Sequence, residues 1–183
     1  MNVKPKIILG ITGSIAAYKI PLLARNLVKK NADVYCIFTE NAKKFVTTYT
    51  MQALTGNPVF DKMFYERADA VYPHIELSKD ADLLVVAPAS ANFLAKASLG
   101  VADDLLSTVF LAVKCKRLVC PAMNKNMYEN ETTQRNLKSL EEKGVEILRP
   151  SSGSLACGDE GIGRMMEPED IAKVIYNILK INE

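Results

Sequence analysis

The sequence has a single histidine, His74, and four cysteines that show no Cys-x-x-Cys spacing. Protein zinc sites use closely spaced cysteine and histidine ligands, so this composition argues against a zinc cage and we expect no bound metal. The opening stretch, MNVKPKIILG, lacks an apolar run long enough for a signal peptide, and no later run is long enough to span a bilayer. We therefore expect a cytoplasmic protein with reduced thiols.

A large excess of one charge is also missing. The chain has 23 Lys and Arg against 21 Asp and Glu, for a formal net charge of +2. The two signs are interspersed, so nothing electrostatic indicates a nucleic acid or an anionic membrane as partner. With 49% hydrophobic residues among 183, the chain is long and apolar enough for a single globular domain with a substantial core.

Short runs rich in Val, Ile and Leu alternate with helical patterns along most of the chain. This alternation predicts β-α-β units, and so an α/β three-layer sandwich with a parallel, Rossmann-like (flavodoxin-like) sheet. The predicted strands lie near 5–11, 33–39, 82–87, 117–120 and 145–148. The predicted helices lie near 14–30, with a kink expected at Pro21, and near 40–47, 91–98, 103–114, 129–143 and 168–181.

Residues 149–167, RPSSGSLACGDEGIGRMME, break this rhythm because they contain four glycines and show neither a helical nor a strand period. A long irregular segment inside a compact domain is usually a functional lid or a disordered tail. A helix is predicted directly after it, which favours the lid. We therefore expect one domain, 1–183, with a lid at about 149–167.

The first predicted strand, KIILGIT, ends in GSIAAYK; we call residues 12–19 the first loop. The spacing Gly10-x-x-Gly13 does not match a dinucleotide fingerprint, and no Gly-Lys-Ser/Thr follows as in a Walker loop. A helix N-terminus with the Ser14 hydroxyl remains, which suits a phosphate or a flavin edge, and Thr39 could add a second hydroxyl. An ordinary glycine turn with a helix cap explains the loop equally well.

Two further strands end in polar loops. The second loop, residues 88–93, reads PASANF, and the third loop, residues 121–128, reads PAMNKNMY. Because the carboxyl ends of parallel strands meet at one edge of a sheet, the three loops are expected to converge on a ligand crevice. Helix capping by Ser90 and Asn124 is the alternative explanation for each loop taken alone.

With His74, PASANF and PAMNKNMY in place, the sequence resembles the homo-oligomeric flavin-containing cysteine decarboxylases. The family pattern has threonine where this chain has Phe93 and tryptophan where it has Tyr128. Phe93 removes a hydroxyl that could reach the cofactor phosphate, whereas Tyr128 keeps an aromatic ring. The resemblance implies FMN as cofactor and a homo-oligomer, a trimer or a multiple of trimers such as a dodecamer, with the active site between subunits.

The resemblance also implies roles for particular residues. His74 would be the acid–base group, Asn124 would bind the substrate carboxylate, and Cys157 in the lid would donate a proton. The other three cysteines lie in apolar stretches and are predicted to be core residues. Lys19, Lys125 and Arg164 are candidates for binding the phosphate of the substrate. The implied FMN contacts are Gly13, Ser14, Ile15, Thr39, Ser90, Ala91, Asn92, Phe93 and Met123.

The lid sequence ACGDEGIGRM is similar to the substrate clamp of family members that act on 4′-phosphopantothenoylcysteine in coenzyme A synthesis. In many bacteria that domain is fused to the ligase that makes its substrate, and this chain is expected to stand alone. Three other functions remain open: decarboxylation of peptide cysteines, flavin prenyl transfer, and regulation of a partner protein without catalysis. A different clamp, or loss of His74 and Cys157, would favour one of them.

Overall fold

The computed structural model describes residues 4–64, 72–154 and 160–181. Its central sheet has six parallel strands in the order β3-β2-β1-β4-β5-β6. This is the doubly wound order of Rossmann domains, and without the two-residue β3 the remaining strands follow the flavodoxin-like order. The strands are β1 Lys6–Ile11, β2 Asp33–Phe38, β3 Val59–Phe60, β4 Leu83–Ala89, β5 Lys116–Pro121 and β6 Glu146–Ile147.

Strand β1 lies at the centre of the sheet and pairs with β2 on one side and β4 on the other. Ile7 is in register with Val34 of β2 and with Leu83 of β4, so the three strands end at the same edge. The chain reverses its direction of strand addition between β1 and β4, and open α/β sheets bind ligands at such a point. The topology therefore places the first and second loops side by side.

Helices cover both faces of the sheet, which confirms the predicted three-layer sandwich. Alternate residues of the strands enter different cores: Ile7 and Leu9 face one, and Ile8 faces the other. Each such buried side chain contributes about 1.5–3 kcal/mol relative to exposure. The helices are α1 Ile20–Lys29, α2 Thr48–Thr55, α3 Pro73–Ser78, α4 Ala91–Leu99, α5 Leu105–Ala112, α6 Lys125–Glu129, α7 Glu131–Glu142 and α8 Pro168–Leu179. None of these helices is both long enough and apolar enough to cross a bilayer.

Three predicted helices differ from those in the structure. The helix expected at 14–30 begins as a 3-10 helix, Ile15–Lys19, and becomes α1 just before Pro21, which lacks the N–H that a helix interior needs. The helix expected at 40–47 is a short 3-10 turn, Ala42–Lys44, followed by α2. The one expected at 129–143 is divided at Asn130, whose side chain caps α7 by accepting from Thr132 N.

The prediction that 149–167 is irregular is wrong for nine residues of the segment. Ser151–Ser154 form β7 and Glu160–Arg164 form β8, which pair antiparallel with Gly153 opposite Gly161. Glycine and serine have low strand propensity, so these strands form because their two backbones pair. The side chains show no pattern from which the strands could be predicted. Residues 155–159, with Cys157, lie outside the described residues.

Candidate active site

A cavity of about 590 Å³ opens at the carboxyl ends of β1, β4 and β5, and we call it the three-loop cavity. Its size lies within the range of sites that bind small molecules and cofactors. All three predicted loops contribute to its walls, and so does β8. The lining residues are Gly13, Ser14, Ile15, Ala16, Tyr18, Lys19, Ser90, Ala91, Ala122, Met123, Asn124, Met127, Gly163, Arg164 and Met165.

The conformation of the first loop, which follows β1, is fixed by its close packing against the segment that follows β2. A Cβ on Gly13 would lie 2.4 Å from the Cβ of Asn41, so only glycine allows the segment after β2 to approach this closely. Ser14 has extended backbone angles, and its side chain makes no capping hydrogen bond to the helix that follows. Ser14 lines the cavity, and its hydroxyl is not used to cap that helix, which suits an anion or flavin site.

Thr12 joins the first loop to the second. Its buried hydroxyl donates to the Pro88 carbonyl over 2.7 Å and accepts from the Ser90 N–H over 2.9 Å. Both hydrogen-bonding functions of one side chain thus hold two cavity walls together. Thr12 was not predicted from the sequence, where the available signal was a hydroxyl placed between a buried strand end and Gly13.

The second loop contributes only part of its residues to the cavity. Ser90 caps α4 by accepting from the Phe93 N–H over 3.3 Å, and Ser90 and Ala91 both line the cavity. Asn92 is exposed outside the lining. The Phe93 ring is buried edge-to-face against Phe110 at a centroid distance of 5.3 Å, so this side chain belongs to the core. Capping and cavity formation are therefore both functions of Ser90.

The third loop is held in place by β8. Asn124 caps α6, because its Oδ1 accepts from the Asn126 N–H over 2.8 Å, and this bond orients its amide group. The Met123 N–H donates to the Gly163 carbonyl over 3.1 Å. Gly163 has a φ of +140°, and a Cβ there would lie 2.3 Å from the Met123 carbonyl oxygen. The position of Asn124 in the cavity wall thus depends on a glycine at 163.

Among the described residues, the charged side chains that line the cavity are Lys19 and Arg164, and the Glu167 carboxylate pairs with both of them. Lys19 Nζ lies 2.9 Å from each carboxylate oxygen of Glu167, and the lysine side chain is 11% exposed. Arg164 Nη2 lies 2.5 Å from Oε1 of the same carboxylate. The hydrogen bond from Lys19 is the main reason that the pKa of the Glu167 carboxyl is lowered. The group stays ionised at neutral pH, so the three side chains Lys19, Arg164 and Glu167 together carry a net charge of +1.

Lys125, the third candidate for a phosphate, does not line the cavity. Its aliphatic stem passes so close to Gly161 that a Cβ there would lie 2.7 Å from Lys125 Cδ. Of the three candidates, Lys19 and Arg164 line the cavity and Lys125 does not, a difference that could not be predicted from the sequence.

His74 and Thr39 do not line the three-loop cavity of their own chain. His74 is the second residue of α3, and its Nδ1 is buried with no hydrogen-bond partner in the described part of the chain. Its neighbours Tyr72 and Ile75 are exposed. The Thr39 hydroxyl lies 3.4 Å from the Ile11 carbonyl, just behind the first loop. Their predicted roles remain predictions.

Two of the three cysteines predicted to be core residues are buried in the core, and the third is partly buried. Cys36 and Cys120 are fully buried, and burial raises the pKa of the Cys36 thiol to about 12 and that of the Cys120 thiol as well. Cys115 is half-buried, and desolvation also raises its pKa. All three are protonated and poorly reactive at neutral pH.

The lining suits a molecule with an aromatic ring system and an anionic tail. Ile15, Met123 and Met127 supply apolar surface, and Ser14 and Ser90 supply hydroxyls. Lys19 and Arg164 add positive charge. Flavin mononucleotide has this combination of groups. The residues present therefore fit a flavin nucleotide.

Comparison with known proteins agrees with this assignment. The model of the family described as Flavoprotein matches residues 1–180. The coenzyme A biosynthesis bifunctional protein CoaBC of Haemophilus influenzae is 48% identical over 165 residues, which are 90% of this chain and 41% of that protein. The chain thus spans about two fifths of this curated relative.

Solved structures show the same similarity. A PPC decarboxylase mutant complexed with pantothenoylaminoethenethiol superposes with a TM-score of 0.88 at 32% identity, covering 97% of this chain and 100% of that one. The FMN binding protein AtHal3 superposes with a TM-score of 0.85, also at 32% identity, covering 99% of this chain and 100% of that one. Fold, cavity and sequence agree, and the chain belongs to the flavoprotein family.

Proposed function

We propose that this chain catalyses the FMN-dependent oxidative decarboxylation of the cysteine moiety of 4′-phosphopantothenoylcysteine in the cytoplasm. The products are 4′-phosphopantetheine and CO₂, in a step of coenzyme A synthesis. The observation that carries the proposal is the convergence of Ser14, Ser90 and Asn124, from three separate loops, on one cavity that fits a flavin. The relatives named above support the choice of substrate.

Loss of CO₂ directly from a cysteine would leave a carbanion with no group to accept its electrons. FMN, when bound, supplies the two-electron oxidation of the CH₂–SH group to a thioaldehyde and the later return of those electrons. Once the C=S group has formed, it accepts the electron pair of the breaking C–C bond and the substrate becomes an enethiolate. The protein's tasks are to orient the carboxylate and to move protons.

Asn124 is the residue that we assign to the substrate carboxylate. It lines the cavity, and its Oδ1 is engaged by the Asn126 N–H, which fixes the plane of the amide. An amide NH₂ donates two hydrogen bonds without adding charge, so it can hold a carboxylate and still release neutral CO₂. Turn capping and substrate binding are compatible functions of this one side chain.

His74 is the residue that we assign to proton transfer during the oxidation. An imidazole exchanges protons near neutral pH, and the buried Nδ1 has no partner within the described residues. Because His74 lies outside the cavity of its own chain, we propose that it serves the cavity of a neighbouring copy in a trimer or a multiple of trimers. The exposed Tyr72 and Ile75 beside it provide apolar surface for that contact.

Cys157 is proposed to protonate the enethiolate carbon as the electrons return. Its segment connects β7 with β8, and β8 forms one wall of the cavity. We propose that 149–167 acts as the lid of this single domain and carries the thiol to the substrate. Cys36 and Cys120 are fully buried and Cys115 is half-buried with a raised pKa, which leaves Cys157 as the thiol suited to this function.

The proposal is tested with the purified protein. A yellow flavin spectrum and release of CO₂ from 4′-phosphopantothenoylcysteine are expected, with phosphopantetheine as the product identified by mass spectrometry. A peptide ending in cysteine is the control substrate and is expected to release little CO₂. A colourless protein that does not bind added FMN would contradict the proposal, and turnover of the peptide alone would assign the chain to peptide modification.

A further inference from the structure

Two cations on the cavity wall have no function in the reaction described above. Lys19 belongs to the short helix of the first loop, and Arg164 ends β8. Both line the three-loop cavity. They come from opposite ends of the chain, yet the Glu167 carboxylate joins them, with Lys19 Nζ at 2.9 Å and Arg164 Nη2 at 2.5 Å.

Glu167 fixes the orientation of both cations. It accepts from Lys19 with both of its oxygens, so the long lysine side chain is held in one arrangement within the wall. A free lysine would lose side-chain entropy on binding a ligand, and a lysine that is already held loses less. Two positive charges against one negative charge leave an excess of +1 for an incoming anion.

We propose that Lys19 and Arg164, positioned by Glu167, form a subsite for a phosphate monoester. A guanidinium fork can donate two parallel hydrogen bonds to phosphate oxygens, and an ammonium adds a compact charge. A monoester carries a charge of about −1.5 to −2 near neutral pH, which matches this wall better than a single carboxylate does.

The inference rests on the proposed function for the identity of the ligand. That function brings two phosphate monoesters to the cavity, one on FMN and one on 4′-phosphopantothenoylcysteine. The chemistry of the subsite is the same for either source. The experiment therefore has to compare each compound with its own dephosphorylated form.

Three variants are needed: Lys19→Met, Arg164→Met and the control Lys116→Met. Methionine keeps the length of the lysine stem and removes the charge. Lys116 also pairs with a glutamate, Glu146, at 2.6 Å, but lies at the amino end of β5, opposite the cavity. Dissociation constants are measured for FMN and riboflavin by flavin fluorescence, and KM is measured for phosphorylated and unphosphorylated pantothenoylcysteine.

The preference for the phosphorylated compound within each variant is the quantity to compare, because general effects on folding cancel in that ratio. Loss of a charge-assisted hydrogen bond is expected to reduce the preference at least about tenfold in Lys19→Met and in Arg164→Met, with no change in Lys116→Met. A reduced preference for FMN alone assigns the subsite to the cofactor, and a reduced preference for the phosphorylated substrate alone assigns it to the substrate.

Wild-type preference for both phosphorylated compounds in Lys19→Met and Arg164→Met would overturn the subsite. Should Lys19→Met fail to fold, Arg164→Met decides, since the Arg164 side chain is 43% exposed and its removal leaves no buried gap. A wild-type protein that binds FMN but releases no CO₂ would contradict the proposed function only. The comparison of FMN with riboflavin then decides the subsite.

Discussion

At the scale of single residues, Asn124 combines a structural and a proposed chemical function in one amide. Its oxygen caps α6, and its place in the cavity wall suits it to a substrate carboxylate. The two functions need different atoms of the same group. A substitution that keeps the oxygen and removes the donor therefore separates them.

Asn124→Asp is such a substitution, because aspartate is as good an N-cap as asparagine. The new carboxylate would repel the carboxylate of the substrate, which at short range costs a few kcal/mol, or about a hundredfold or more in rate. We expect CO₂ release to fall by that factor while the flavin spectrum and the thermal unfolding midpoint stay near wild type. Near-normal turnover would show that Asn124 only caps the helix.

Cys157→Ser separates the two halves of the proposed reaction. An alcohol is a far weaker acid than a thiol, whose pKa is about 8.5, so oxidation and CO₂ loss should proceed while protonation of the enethiolate fails. The variant should release at most one CO₂ per bound flavin and accumulate a product about two mass units lighter than phosphopantetheine. Mass spectrometry decides, and ordinary phosphopantetheine at the wild-type rate would remove Cys157 from the mechanism.

At the scale of secondary-structure elements, β8 connects the loops of the cavity. Its Gly163 carbonyl holds the Met123 N–H, and Glu167, three residues after β8, holds Lys19. The first and third loops are therefore positioned by one short segment near the end of the chain.

Gly163→Ala should weaken the packing of β8 against the third loop. Alanine is strained at a φ of +140°, and its Cβ would collide with the Met123 carbonyl. We expect a loss of about 1–3 kcal/mol in the free energy of unfolding, measured with urea, together with a raised KM. Gly153→Ala, in β7, is the matched control, because its Cβ would come no closer than 3.4 Å to another group. Equal effects of the two substitutions would contradict this account.

The ion pairs of Glu167 should make part of the stability depend on pH. Because its pKa is lowered in the folded protein, its contribution is present above the ordinary value of 4.5 and is lost as the pH falls through the folded value. Wild type should therefore exceed Glu167→Gln in thermal midpoint at pH 7, and the difference should shrink only below about pH 4.5. A difference that is constant down to about pH 3.5 would show that charge is not its cause.

Much of the main sheet could be predicted from sequence, because strands buried on both faces are continuous apolar runs. The expected 5–11 and 33–39 became β1 and β2 within a residue at each end. β3, with two residues, and α3, with six, are too short to show a period. The β7–β8 pair depends on contacts between backbones, and its glycines and serines give no strand signal in the sequence.

The structure agrees with the sequence prediction about which loops form the site, and agrees less well about which residues line it. The three loops meet as expected, because parallel strands end at one edge of the sheet. The burial of Phe93 could not be foreseen, since it depends on Phe110 of a different helix. Nor could the pairing of Lys19 with Glu167, which are 148 residues apart in sequence. Contacts of that range are set by the tertiary fold.

At the scale of the whole molecule, the separation of His74 from the three-loop cavity predicts complementation between subunits. Asn124→Asp and His74→Asn are each expected to be inactive. If one subunit supplies His74 to the cavity of the next, co-expression of the two variants in equal amounts restores about a quarter of the sites. The native mass should be a multiple of three chains of 20.2 kDa. A monomer, or mixed protein without activity, would contradict the shared site.

The cavity lining begins at Gly13 and ends at Met165, so its walls come from almost the whole length of the chain. During synthesis on the ribosome, β1 and β2 emerge long before β8, and a growing chain has no complete pocket to offer. The flavin can therefore be bound only after β8 and the residues that follow it have emerged. A ligand present at a hundredfold its Kd stabilises only the folded form, by about 2.7 kcal/mol. The amount of flavin in the cell would therefore set the fraction of chains that are folded and so protected from proteolysis.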